Sequence, residues 1–325
     1  MPRKAIIIGN DYYTHAPCLH GCVNDAISMA SLLERNADGT RNFDVRLEIS
    51  NNCDNHLTKV YLQSCIDDVF AGEPSVALFY FSGHAAKTQV GGFLSSSEIK
   101  SGDDGVPMTY LLHSASNSKA RNKIIILDCC YAGIAGETPF IDGSILPTGI
   151  TILAAATREQ YSMEKHGSGV FTKLFVDALS GSAANLFGEI TMGSVYAHID
   201  KSLGAWDQRP VFKTNVSEFV WLRKSVANVS HDDLRRMYQL FSDKSLMIEL
   251  DPDFEPTKNQ AIFKGPDEGN KNKEEIFKLL QKLNRLNLIV PEGADHMYFA
   301  AMESKSCRLT TLGEFYWDLV DKKLI

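Results

Sequence analysis

Apolar residues fall along this chain in two rhythms. Four short runs, residues 5–8, 76–81, 123–127 and 149–154, are apolar almost throughout and are bounded by Gly, Asn, Ser or Asp. A strand with one wet face would alternate polar and apolar positions, so unbroken runs of this length predict strands covered on both faces. Between and after them lie longer stretches, 24–33, 57–70, 171–179 and 190–203, in which apolar side chains recur every three or four residues, the period of an amphipathic helix. Strands alternating with helices imply crossover connections and an α/β fold, an open, mostly parallel sheet flanked by helices. In such sheets chemistry collects beyond the carboxyl ends of the strands.

The pattern changes after Trp221. Residues 223–230 are polar, and 250–272 are rich in Pro, Gly, Asp and Lys. We therefore expect a first domain over 1–222, a linker over 223–230 and a small α+β domain over 231–325. In the latter, Ile276, Phe277, Leu279, Leu280, Leu283 and Leu286 mark one face of a helix over 273–288. Residues 297–301 are expected to form a strand, and 308–317 to lead through a turn into a closing helix.

Composition narrows the partners. The 325 residues carry 33 Lys and Arg against 40 Asp and Glu, a net charge of -7, so a surface for the phosphate backbone of nucleic acid is not expected. The first residues enter a strand-length apolar run instead of a signal core, and no apolar stretch approaches the roughly 18–20 residues of a membrane span. Seven cysteines, two of them adjacent as Cys129-Cys130, argue against a disulfide framework and for a reducing, cytoplasmic setting.

Two of the four strand ends carry reactive side chains. One reads Ser82-Gly83-His84, the other Asp128-Cys129-Cys130-Tyr131-Ala132-Gly133. A thiol is a weak nucleophile until deprotonated, and a nearby imidazole can take its proton or pair with the thiolate. The competing reading is structural, since free cysteines are among the most buried residue types, and it is the one expected for Cys129.

These two motifs resemble the histidine and cysteine motifs of the caspase-like cysteine peptidases, the caspase/metacaspase family, and in particular its bacterial metacaspase-like branch. Gly9-Asn10, Leu19-His20-Gly21-Cys22-Val23-Asn24-Asp25-Ala26, Gly169-Val170-Phe171-Thr172 and Gln208-Arg209-Pro210-Val211-Phe212 resemble further landmarks of that branch, in order, over about residues 4–216. The resemblance implies a caspase-like sheet, an endopeptidase with His84 as general base and Cys130 as nucleophile, and an oxyanion hole made by the backbone N–H groups of Ala85 and Cys130. The family usually has glycine where Ala85 stands. It further implies a pocket for the residue before the scissile bond built on Asp25 and Asp128, and hence cleavage after Arg or Lys. Asp25 could instead cap the helix that begins there.

Many metacaspases bind calcium through an acidic cluster. Here only Asp103 and Asp104 stand as an adjacent pair near that region, a solvated turn accounts for them, and no cofactor or metal is expected. From Tyr131 to Thr157 there is no Lys or Arg, so a basic-specific enzyme could not cut itself in this connection and should act as a single chain. Lys119, Arg121 and Lys123 remain as cut sites. A pocket preferring Asp would find one at Asp142. The C-terminal domain resembles a winged helix. Its 14 Lys and Arg against 17 Asp and Glu over residues 231–325 show no basic stripe, so a protein partner is expected there and not DNA. By family analogy the enzyme would make limited cuts in partner proteins in bacterial stress response, cell suicide or antiviral defence; the alternatives are an idle adaptor or a DNA-binding regulator acting through the C-terminal domain.

Overall fold

A computed structural model of the chain describes residues 2–89, 91–101, 104–130, 146–155, 170–204, 209–255 and 271–325. These divide into two compact units, Met1–Val226 and Ala227–Ile325.

The first unit begins with β1 (Arg3–Asn10), α1 (Cys22–Glu34), β2 (Asp44–Ser50), α2 (Lys59–Phe70) and β3 (Val76–Ser82). Three short strands follow, β4 (Ala85–Thr88), β5 (Gly91–Leu94) and β6 (Val106–Pro107), then α3 (Met108–Asn117), β7 (Asn122–Asp128) and β8 (Ile150–Ala154). After α4 (Val170–Asp177), continued by a turn of π-helix over Ala178–Ser182, come β9 (Glu189–Thr191), α5 (Met192–Ser202), β10 (Val211–Asn215) and β11 (Trp221–Lys224). The main sheet has the order β10-β8-β7-β3-β1-β2. All neighbours are parallel except β10, which runs antiparallel to β8.

The four apolar runs are the four central strands, and every residue of β3 and β7 is buried. Because side chains alternate across a strand, each face receives every second residue. Ile6, Ile8, Phe79, Phe81, Ile125 and Leu127 pack towards α2 and α3. Ile7, Leu78, Tyr80, Ile124 and Ile126 pack towards α1, α4 and α5. The parity carries to the strand ends: Asp128 continues the Ile124, Ile126 series and faces α1 and α4, whereas Cys129 joins the opposite cluster. The chain passes from β1 outwards to β2 and then back across β1 to β3, so the strand order reverses there, the place where open α/β sheets gather ligands.

The edge strands β2 and β10 and the small β4-β5-β6 sheet were not expected from the sequence, because short, half-exposed strands lack a continuous apolar run. Among the described residues no helix is long and apolar enough to cross a membrane.

The second unit holds α6 (His231–Leu240), β12 (Ile248–Glu249), α7 (Lys271–Arg285), β13 (Ile289–Glu292), α8 (Met297–Met302), β14 (Ser306–Leu309) and α9 (Thr311–Asp321). Its antiparallel sheet has the order β12-β14-β13. The strand expected over 297–301 is instead α8. Met297, Ala300 and Ala301 are buried while Tyr298, Phe299 and Met302 are exposed, which is helical spacing; the aromatic content misled the expectation, and the strand lies at Ser306–Leu309.

Candidate active site

The strands β3 and β7 are neighbours in register, with Ser82 opposite Asp128. His84 therefore stands two residues beyond the end of one strand and Cys130 two residues beyond the end of the other, on the same edge of the sheet. The Gly83 N–H donates to the Asp128 carbonyl across this gap, at 3.4 Å. A glycine is required between Ser82 and His84, because a Cβ there would lie 2.7 Å from the Tyr13 hydroxyl oxygen.

Tyr13 was not singled out from the sequence. Its hydroxyl accepts the backbone N–H of His84 at 2.6 Å, and its ring stands 4.6 Å from the imidazole. Burial pushes its phenol well above the ordinary value, so it stays neutral. The second anchor is a backbone group that no residue pattern could reveal: the Pro17 carbonyl lies 2.9 Å from His84 Nε2. A carbonyl can only accept, so Nε2 carries the proton, and in the neutral ring Nδ1 keeps a lone pair.

His84 leads directly into β4. The Ser95 N–H donates to the His84 carbonyl, and Ala85 pairs with Leu94. Hydrogen-bonded and non-hydrogen-bonded pairs alternate along an antiparallel ladder. Ala85 thus occupies a non-bonded pair, and its N–H points away from β5.

Cys129 and Cys130 differ in burial. Cys129 is 1% exposed within the apolar cluster, and burial, reinforced by Cys130 and Asp128, pushes its thiol well above the ordinary value. Cys130 is partly exposed.

Asp25 and Asp128 are 2% and 5% exposed. Asp128 Oδ2 accepts the Thr172 hydroxyl at 2.8 Å, and that hydroxyl lies 2.7 Å from the Tyr80 hydroxyl. A threonine has one proton to give, and it goes to the carboxylate, so Tyr80 must donate to Thr172. The order of donation is Tyr80, Thr172, Asp128. Burial raises the Tyr80 phenol, and Asp128 and then Asp25 raise it further. Asp25 is not needed to cap α1, for the helix's first N–H groups, of Cys22 and Val23, donate to Asp11 at 2.9 and 3.4 Å.

The remaining residues fall as follows. Asp104 Oδ2 accepts the N–H groups of Lys100 and Ser101, the turn expected for it, whereas Asp103 lies outside the described residues. Among the described residues no group of three His, Cys, Asp or Glu side chains stands close enough to hold a metal ion. Of the three basic residues before Cys130, Lys123 lies buried inside β7 with its Nζ on the Thr148 carbonyl at 3.0 Å. Lys119 and Arg121 are exposed between α3 and β7. Asp142 and most of the connection without Lys or Arg lie outside the described residues, as do Gly169 and Gln208 of the two later landmarks.

The model of the caspase domain family matches residues 2–221. No curated protein matches the sequence significantly. Among solved structures, the chain is similar to a Geobacter sulfurreducens protein, with a TM-score of 0.50 and 17% identity over 67% of this chain and 95% of that one. It is also similar to caspase-1 from Spodoptera frugiperda, with a TM-score of 0.50 and 12% identity over 69% and 91%. At such identities the likeness is one of fold.

Proposed function

The chain belongs to the caspase domain family, which makes it a cysteine peptidase acting on protein substrates, and from that premise we propose that His84 and Cys130 are its dyad and that it cleaves after Arg or Lys. The observation that carries the reading is the pairing of Ser82 with Asp128, which brings the two reactive side chains to one edge of adjacent strands.

In this mechanism His84 Nδ1 takes the proton of the Cys130 thiol, while Nε2–H stays on Pro17 O and fixes the ring. The thiolate attacks the scissile carbonyl carbon. The negative charge that develops on the carbonyl oxygen is met by the N–H groups of Ala85 and Cys130, each such donor contributing about 3–4 kcal/mol. When the C–N bond breaks, the leaving amine takes the proton back from Nδ1, and the acyl-enzyme is hydrolysed by a water that the same nitrogen deprotonates. Asp25 and Asp128 would receive the guanidinium or ammonium of the residue before the cut, in a site whose burial strengthens charge-assisted bonds.

Asp104, with an oxygen engaged by two backbone N–H groups, supports an enzyme that needs no calcium. The connection without Lys or Arg supports one active as an uncut chain. The second unit, with a three-stranded sheet and an acidic charge balance, is read as a winged-helix-like module that docks a protein.

The test is turnover of a peptide panel differing only in the residue before the cut, Arg, Lys, Asp or Ala, by wild type and Cys130→Ala. Arg and Lys turnover lost in the variant is the expected result. Turnover after Asp would overturn the pocket assignment, and activity retained without Cys130 would overturn the dyad.

A further inference from the structure

At the other edge of the sheet, roughly 20 Å from Ser82 and Asp128 by strand rise, the amino ends of β3, β7 and β8 and the segment before β11 enclose a cleft of about 430 Å³. Its lining includes Arg3, Arg121 and Glu218. Arg3 lies between the Phe43 and Trp221 rings, 4.3 and 3.9 Å from their centroids, and one Nη donates to the carbonyls of Trp221 and Leu222. Its Nε is buried and meets no acceptor among the described residues. Burial alone lowers this guanidinium to about 10. Lys123 lies beneath the floor, where a Cβ on Gly149, itself in the lining, would stand 3.0 Å from its Nζ.

Among the described residues none of these three cations has a carboxylate partner. For Lys123, which is buried, and for Arg3, which is half-buried with its Nε enclosed, that is an unusual condition, since buried basic groups are ordinarily paired. Among the described residues the cleft has one carboxylate, Glu218, which is exposed. Three positive charges against one negative leave an excess of two, which matches a phosphate monoester, with about -1.5 to -2 at neutral pH, better than a single carboxylate. Beside the cations the cleft also presents Phe219, 38% exposed, with Val76 and Val220. The volume falls in the range of roughly 300–1,000 Å³ usual for small-molecule sites.

We propose that this cleft is a binding site for a phosphorylated small molecule about the size of a nucleoside monophosphate, its phosphate held by Arg3 and Arg121 above Lys123 and its apolar body against Phe219. The site is remote from His84 and Cys130 and does not depend on the reading of the peptidase centre.

Calorimetric titration of the full chain with AMP, adenosine and inorganic phosphate tests it. One AMP should bind per chain, inorganic phosphate more weakly, and adenosine at least tenfold more weakly than AMP. Arg121→Glu, at an exposed position where folding is not at stake, should weaken AMP at least tenfold, and Glu218→Gln should tighten it severalfold. Absence of AMP binding, adenosine binding as tightly as AMP, or affinities unchanged in both variants would each overturn the proposal.

Discussion

The Tyr80–Thr172–Asp128 chain of hydrogen bonds makes a prediction whose sign depends on which group donates to which. Thr172→Val removes the hydroxyl that Asp128 accepts, a bond to a charged group that contributes about 1.5–3 kcal/mol, and it also strands the buried Tyr80 O–H, at about 1–3 kcal/mol more. Tyr80→Phe removes only a donor to Thr172 and should cost about 1 kcal/mol, because Thr172 still donates to Asp128. In the double variant the ring on β3 has no hydroxyl to strand. Thr172→Val should therefore cost about 1–3 kcal/mol less in the Tyr80→Phe background than in wild type, and the double variant should be no less stable than Thr172→Val alone. Differential scanning calorimetry resolving the transition of the first unit reads the cycle. If Asp128 faces substrate, Thr172→Val should also raise KM for an Arg peptide by about tenfold, equivalent to about 1.4 kcal/mol, with a smaller change in kcat. Strictly additive losses would refute the order of donation. An unchanged KM would separate the network's structural role from the pocket.

Three further outcomes follow from the site and the core. Tyr13→Phe leaves the His84 N–H without its acceptor in a buried place, and should lower kcat by about tenfold with KM for the Arg peptide held; a loss confined to KM would show that Tyr13 does not position the imidazole. Iodoacetamide should alkylate Cys130 and the exposed Cys18 and Cys53 but spare Cys129, and mass spectrometry finding Cys129 labelled in the native protein would contradict its burial. Burial lifts the Cys65 thiol to about 11, so its contribution to stability is whole below the ordinary value near 9 and is lost as pH rises from 9 to 11; Cys65→Val should shallow that limb of a thermal-stability profile, and an unchanged limb would refute the assignment.

What could be read in the sequence, and what could not, follows from the physics of each signal. Central strands announce themselves because burial on both faces demands continuous apolar runs, and their ends place His84 and Cys130 without any knowledge of contacts. The distinction between Cys129 and Cys130 is likewise latent in strand parity, since Asp128 continues one face and Cys129 turns to the other. Nothing periodic marks β2 or β10, whose sides are partly wet, and nothing at all marks Pro17, which acts through its carbonyl. Aromatic content alone misread Met297–Met302, where the spacing of buried and exposed residues, three and four apart, was the better guide.

The same reasoning bears on Asp25. An acidic residue in a first helical turn has two roles open to it from sequence, a cap or a functional carboxylate, and propensity favours the cap. The structure shifts that balance through a residue well upstream of the helix. Asp11 leaves the end of β1 and takes the Cys22 and Val23 N–H groups, so two of the helix's first N–H groups are satisfied without Asp25. Asp25 is 2% exposed and Asp128 5%, both raise the buried Tyr80 phenol, and withdrawing two carboxylates from water carries a cost. Such a cost is retained where a site needs two negative charges together, and a substrate's arginine or lysine is the group that would offset it. Asp25→Asn should on this account leave the fold intact, or even stabilise it, while abolishing the preference for Arg over Ala before the cut. Loss of stability with the preference kept would return Asp25 to a structural role.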